Sequence, residues 1–319
     1  MSRSRSNLVP RVFREKAKST DVGVGLRHTH YEAALTGTWP VDFVEIHAEN
    51  FFAMGGATQW ILNQVASTFP ISLHATSLGL GSASGINPHY LKRLQKLERQ
   101  IKPVLISDHA SFSWSTIQGN AANKATGQSV HAGDLLPLEF SQRNLQVLIN
   151  NVDHVQQTLG RSILVENVSA YIHMGHGQYS ETEFLVQLAE KTQCGLLIDL
   201  NNLLVNASNF PDQNKSPLAQ AKAWLTQIPP SAIQQFHLAG FNEPGSQNAL
   251  IVDDHSQPVS NQCWDLYAFA LQYAGNKPTL IEWDNNLPSW PTLVEQATQA
   301  RHVQQFTIDT QEIHYACHI

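Results

Sequence analysis

The chain has 319 residues, 42% hydrophobic and 14% charged, with a formal net charge of −6. That balance argues against a general nucleic-acid or membrane-surface binder, and no run of about 18 apolar residues exists to span a bilayer. The three cysteines, Cys194, Cys263 and Cys317, form no CxxC pair, which speaks against a disulfide framework or a thiolate zinc site and fits a reducing cytoplasm.

Residues 1–20 open with MSRSRSNLVPRVFREKAK, which is basic and has no apolar h-region; it reads as a flexible arm rather than a signal peptide. Residues 21–319 read as a single domain, long enough for a sizeable core. The first strand is expected over Val22–Arg27, in GVGLRHTH, a poor version of the glycine-rich phosphate turn of a doubly wound sheet. Strands follow at Phe43–Glu49 and Ile71–Thr76. A helix over Pro88–Gln100 carries Leu91, Leu94 and Leu97 on one face and starts from Asn87 and Pro88, an N-cap and N1 pair. After the strand Val104–His109 comes a long connection, Ser113 to Glu139, and connections of that length are usually functional or disordered. The helix Arg143–Leu159 leads to the strand Ser162–Asn167. The helix Glu181–Thr192, with an acidic first turn, leads to the strand Gly195–Leu200. The remaining elements are a helix Pro217–Gln227, a strand Gln235–Ala239, a helix Gln262–Ala274, a strand Thr279–Asp284 and a helix Pro291–Val303. The strands are short and rich in Val, Ile and Leu, as strands covered on both faces should be. Eight of them alternating with helices indicate an α/β fold, a (β/α)8 TIM barrel. The long connection then follows strand four and lies over the active face.

Histidine is the compositional outlier, with 15 copies against 3 Met and 3 Cys. Histidines and carboxylates stand at the carboxyl ends of the apolar runs FVEIHAEN, ISLHATS, VLISDHAS, ILVENVS, LLIDLNN, FHLAG and LIEWD. Active sites of such barrels lie at those ends. The candidates are Glu45, His47 and Glu49, expected on one face of their strand; then His74, Asp108, His109, Glu166, Asn167, Asp199, Asn201, Asn202, His237, Glu282 and Asp284; and Asp253, Asp254 and His255 in the loop after strand seven. Taken singly, a strand-end histidine is most often a hydrogen-bonded structural group, Asp199 is equally a cap for the turn that follows, and Asn201 is a turn former. Taken together, the convergence favours ligation. Imidazole and oxygen donors without thiolate suit iron, manganese or zinc. They exceed what one ion can use, so a cluster of two or three ions is expected, bridged by carboxylates such as Glu166 and Glu282.

The segments GVGLRHTHYEAAL, VDFVEIHAENFF, SDHASFSW, HAGDLLPL, LVENVSAYI, LIDLNNLLVNA, FHLAGF, VDDHSQPV, CWDLY and LIEWDNNLP resemble, in order from about Gly23 to Pro288, the DUF692 family of multinuclear non-haem iron-dependent oxidative enzymes. The resemblance implies a barrel related to xylose isomerase and endonuclease IV. It implies two or three iron ions, dioxygen as co-substrate, and oxidative modification of a ribosomally made precursor peptide, commonly at cysteine and often with a small partner protein that delivers the peptide. Carried over by motif, it implies His47, His74, Glu166, Asp199, His237, His255 and Glu282 as the metal set, with Asn202 as a further ligand. Asp108, His109 and Asp254 follow as second choices for ligation or proton transfer. The rivals are a zinc hydrolase or phosphodiesterase, against which the acidic charge weighs, a two-ion sugar isomerase, for which lysine is scarce at the strand ends, and a non-catalytic metal-binding subunit.

Overall fold

A computed structural model describes residues 16–117, 128–172, 174–175, 177–242 and 249–316. Most of the expected arm, His173, His176, His318 and the Gly/Asn/Ala-rich part of the long connection lie outside the described residues. In chain order the elements are β1 (Val22–Gly25), α1 (Tyr31–Thr36), β2 (Phe43–His47), α2 (Gly56–Thr68), β3 (Ile71–His74), α3 (Pro88–Ile101), β4 (Leu105–His109), β5 (Phe112–Ile117), β6 (Gln128–Leu136), α4 (Gln142–Leu159), β7 (Leu164–Glu166), α5 (Glu181–Thr192), β8 (Gly195–Asp199), α6 (Leu200–Asn209), α7 (Pro217–Leu225), β9 (Ile233–Leu238), α8 (Asn261–Ala274), β10 (Thr279–Ile281) and α9 (Trp290–Ala316).

Eight strands close a barrel in the order β1-β10-β9-β8-β7-β4-β3-β2, and every neighbouring pair in it is parallel. All eight expected strands are its staves; most stop one to three residues short at the carboxyl end, and β9 starts two residues earlier than expected. The long connection holds the antiparallel hairpin β5–β6, which stands apart from the barrel sheet. It enters directly after β4, so it sits on the carboxyl-end face as expected.

The helices start where side chains satisfy the free amide groups of a first turn. Asn87 accepts from the amides of His89 and Tyr90, and Ser141, Ser180, Ser216 and Ser260 cap α4, α5, α7 and α8. In α5 Glu183 returns a bond to the Ser180 amide, completing a capping box. Gly160, at φ +71°, ends α4 in the left-handed region that glycine tolerates. Apolar stripes such as Leu91, Leu94 and Leu97 of α3 pack on the outer faces of the strands. Among the described residues no helix is long and apolar enough to cross a membrane.

The barrel has two apolar regions. The large one lies between strands and helices. The small one, Phe43, Val104 and Leu280 with Ala17 against it, plugs the amino-terminal end. Gly23 makes room for that plug: a Cβ there would stand 2.5 Å from the Phe43 ring. Two residues up, the interior turns polar on four strands, with Glu45, Ser72, Ser107 and Gln235 all buried, while Leu164 and Leu197 fill the same layer on β7 and β8. Another step up stand the groups named from the strand endings. The period of two is therefore what stacks plug, polar layer and strand-end groups.

Candidate metal centre

Alternation places His47, His74, His109, Glu166, Asp199 and His237 at the inward carboxyl ends of β2, β3, β4, β7, β8 and β9, with Glu282 just past β10. The register agrees, setting His47 beside His74, His109 beside Glu166 and Asp199 beside His237. These side chains form three groups, each with ligating atoms within 4.8 Å of one another: His74, His109 and Glu166; Glu166, Asp199, His237 and Glu282; and His47, Glu282 and Asp284. Glu166 is shared by the first two and Glu282 by the last two. A carboxylate with two oxygens is the side chain suited to such sharing.

Each donor is held by a neighbour. His74 Nδ1 is 2.7 Å from Ser107 Oγ, which leaves Nε2 facing Glu166 at 3.7 Å. His237 turns Nδ1 toward Glu282 at 3.0 Å and Glu166 at 3.6 Å, while Nε2 lies 3.1 Å from the Gln235 amide and 3.6 Å from Glu45. Ser72 in turn donates to Glu45 at 2.8 Å. A carboxylate behind the far nitrogen of an imidazole is the usual support of a metal-binding histidine. Asp199 serves both functions read from the sequence. Its Oδ1 accepts from the Asn202 amide at 2.7 Å, capping α6, which leaves Oδ2, on a side chain of the second group, without a partner. Asn202 donates to the Asn167 carbonyl, so its Oδ1 faces the other way. Asn167 exchanges bonds with the Asp199 backbone in both directions, extending the β7–β8 pairing past the last strand residue. Glu166 alone therefore points inward at that end.

His255 approaches from the loop after β9. Its Nε2 is 2.8 Å from Asp253, and its Nδ1 is 3.6 Å from Glu282 and 3.5 Å from Asp284. Its φ of +44° is uncommon for histidine. The conformation is held by the amide of Asp284, which donates to the His255 carbonyl at 2.9 Å. Asp108 is buried but faces away from the three groups: it accepts from the amides of Leu78 and His109, and its carboxylate lies 3.6 Å from His109 Nδ1. Asp254 lines the mouth, where Asn242 and Ser256 donate to it. Glu49 departs from expectation. β2 ends at His47, so Glu49 lies in a short 3-10 turn and accepts from the Thr76 amide and the Tyr90 hydroxyl instead. Asn201, expected as a turn former, lies in α6 and donates to Asp253 at 2.8 Å. Reading the strand ends passed over Arg27, whose guanidinium pairs with Asp284. The one signal for it was its inward phase, two residues beyond Gly25.

The electrostatics are those of charges confined without solvent. Burial pushes the Glu166 carboxyl up to about 8 and that of Asp199 to about 7. Burial would lower His109, but Glu166 and Asp108 outweigh it and raise the imidazole to about 9. His237 and His255 are likewise raised well above the ordinary value by the acids around them, against burial. His74 is pushed well below it by burial and by neighbouring histidines. Glu282, which burial would raise, is held at about 2, chiefly by His255.

Several buried polar atoms have no partner here: Glu166 Oε2, Asp199 Oδ2, Asn202 Oδ1 and His109 Nδ1. Orphaned atoms of this kind are rare and call for an explanation. Acceptors gathered with imidazoles around shared carboxylates are the donor set of divalent first-row ions, so the residues fit a multinuclear centre. A cavity of about 210 Å³ opens onto it, walled by Asp134 and Leu135 of β6 and by Tyr171, whose hydroxyl accepts from the Asp253 amide.

Residues 21–305 match the profile of a family described as "RiPP precursor modification enzyme MbnB/TglH/ChrH". Two similar proteins carry the name "UPF0276 protein". One from Psychromonas ingrahamii is 34% identical over 91% of this chain and 96% of its own length. One from Vibrio vulnificus is 38% identical over 88% of this chain and 90% of its own. Among solved structures, a xylose isomerase domain containing protein from Salmonella typhimurium superposes with a TM-score of 0.55 at 12% identity, covering 90% of this chain and 98% of that one. Endonuclease IV from Thermus thermophilus does so at 0.50 and 12%, covering 91% and 99%. At such identities these barrels bear on the fold alone.

Proposed function

We propose, from the premise that the chain belongs to the MbnB/TglH/ChrH family of RiPP precursor modification enzymes, that it carries out an iron- and dioxygen-dependent oxidation of a ribosomally synthesised precursor peptide, at cysteine. The observation that carries the iron reading is the fusion of three ligating groups through Glu166 and Glu282. A pair of iron ions would be held by His74, His109, Glu166, Asp199, His237 and Glu282, with Asn202 and His255 as further donors, and a third ion would need His47 and Asp284 beside Glu282. Bound there, the ions supply Lewis acidity and the redox steps that no side chain in the pocket can perform.

The rest falls to the protein. Ser107, Glu45 with Gln235, and Asp253 fix the rings of His74, His237 and His255, so the donors need no rearrangement when loaded. Asp108 sets the plane of His109. The β5–β6 hairpin and the bond from the Asp253 amide to Tyr171 narrow the mouth, which limits water while leaving an open side for an extended peptide. Asp254 stands at that mouth. Burial would raise it, but bonds from Ser256 and Asn242 hold its pKa below the ordinary carboxylate value. It is thus ionised and placed to accept a hydrogen bond from an entering thiol. Delivery of the peptide by a small partner protein, in the cytoplasm, belongs to the same proposal.

The test is reconstitution with ferrous iron and the cysteine-containing peptide encoded beside the gene. Product should form in air and not under anaerobic conditions. Equal yield without dioxygen excludes the chemistry, and activity with zinc alone moves the protein to the hydrolases.

A further inference from the structure

At the carboxyl end of seven of the eight barrel strands the last inward residue is an imidazole or a carboxylate; past β1 it is Arg27. Gly23, Gly25 and Arg27 occupy its inward positions, and Gly25 is what lets the arginine curl back over the strand. A Cβ at Gly25 would stand 3.2 Å from Arg27 Nη1. The Arg27 side chain is buried, and its Nη2 lies among the donors of the third group. It donates to His47 Nε2 at 2.9 Å, sits 3.8 Å from Glu282 Oε1 and pairs with Asp284 Oδ1, to which Nε also donates at 2.8 Å. All three side chains of that group therefore face one guanidinium nitrogen.

The orphaned carboxylate oxygens of the three groups lie in the first two. Glu166 Oε2, Asp199 Oδ2 and His109 Nδ1 belong to side chains of the first two groups, and Asn202 Oδ1 stands beside them. Among the described residues no fully buried atom of His47, Glu282 or Asp284 is orphaned, and the unpartnered atom at this group is Nη1 of Arg27 itself. A guanidinium keeps its charge at any pH a protein survives, so this cation cannot be titrated away. It and a metal ion cannot share the space between the same three donors.

We infer that Arg27 is a built-in third cation: the chain takes two transition-metal ions, in the groups joined by Glu166, and a third ion enters only if the guanidinium is displaced. The arginine thereby fixes the stoichiometry and keeps His47 and Asp284 from ligating. This rests on the metal-centre reading above. An ordinary structural ion pair would hold the same contacts but would leave the metal count alone.

The experiment is equilibration of the full chain with excess ferrous iron under anaerobic conditions, desalting, and metal counting by mass spectrometry, with circular dichroism as the check on folding. Wild type should retain two ions, Arg27→Met three, and Asp284→Asn two. Three ions in the wild type that fall to two in Asp284→Asn overturn the assignment, as does a folded Arg27→Met that still retains two. If Arg27→Met does not fold, the wild-type and Asp284→Asn counts decide alone. Failure of the wider reading looks different, because the wild type then retains no iron at all.

Discussion

The two ends of the barrel are built from similar side chains and finished differently. At the amino-terminal end polar groups close on one another. Arg301 pairs with Asp42 at 2.6 Å, Arg161 donates to the carbonyls of Pro103 and Val104, and the buried Tyr267 and Thr279 hydroxyls meet at 2.9 Å. At the carboxyl-terminal end acids and imidazoles face each other with acceptors unpaired. The amino-terminal cleft is the larger, about 680 Å³ against about 210 Å³. Yet among the described residues all three ligating groups lie at the other end. Size does not mark the site. One end is complete as a folded protein, and the other is completed by what it binds.

The contrast breaks most severely at Glu166. Glu166→Ala removes the donor shared by two groups, so iron content should fall to one ion or fewer and peptide oxidation to background. Iron retention at the wild-type level would show that the unpaired oxygens have another purpose. The opposite test is Phe43→Ala in the plug. Truncating a fully buried phenylalanine costs about 3–5 kcal/mol, read as a lower denaturant midpoint, while iron content per folded chain should not change. A loss of iron there would dissolve the distinction between the ends. Between the two lies Glu45, which supports His237 without joining a group. Glu45→Gln should weaken iron binding by roughly 10–100-fold with little change in fold, measured by competition with a chelator.

How much of this was legible in the sequence depended on periodicity. Inward residues recur every second position, and the apolar runs fixed the phase, so His47, His74, Glu166, Asp199, His237 and Glu282 could be named from strand endings alone. α6 was not legible, because LNNLLVNASN is buried almost all round and so lacks the polar stripe that announces a helix. That is why Asn201 read as a turn. α2 starts at glycine without a side-chain cap. The β5–β6 hairpin, with FSWSTI half-buried at its start and QSVHAGDLL largely exposed, read as loop. Arg27 hid inside a glycine pattern weighed only as a poor phosphate turn, whereas the glycines at 23 and 25 make space for Phe43 and for the arginine itself.

pH sharpens the comparison further. Glu166 near 8, Asp199 near 7 and His109 near 9 hold protons that ions must displace. Iron affinity should therefore fall as pH drops from about 8.5 to about 6, and loading should release protons, measurable by calorimetry in buffers of different ionisation heat. Without metal the sign reverses for folding. The folded state holds protons that the unfolded chain sheds from about pH 4 upward, so stability should decline as pH rises from about 4 to about 9. A flat profile would mean these groups are solvated after all. The smallest effect belongs to the amino-terminal end. Asp42→Asn should cost about 0.2–1 kcal/mol, the usual worth of a half-exposed ion pair, with iron content unaltered.

The most direct measurement of the central claim is anomalous diffraction at the iron edge from crystals of the iron-loaded protein. The account predicts one peak enclosed by His74, His109 and Glu166 and a second by Glu166, Asp199, His237 and Glu282. Iron-loaded crystals with no peak at either position, or with iron only at the amino-terminal cleft, would contradict it.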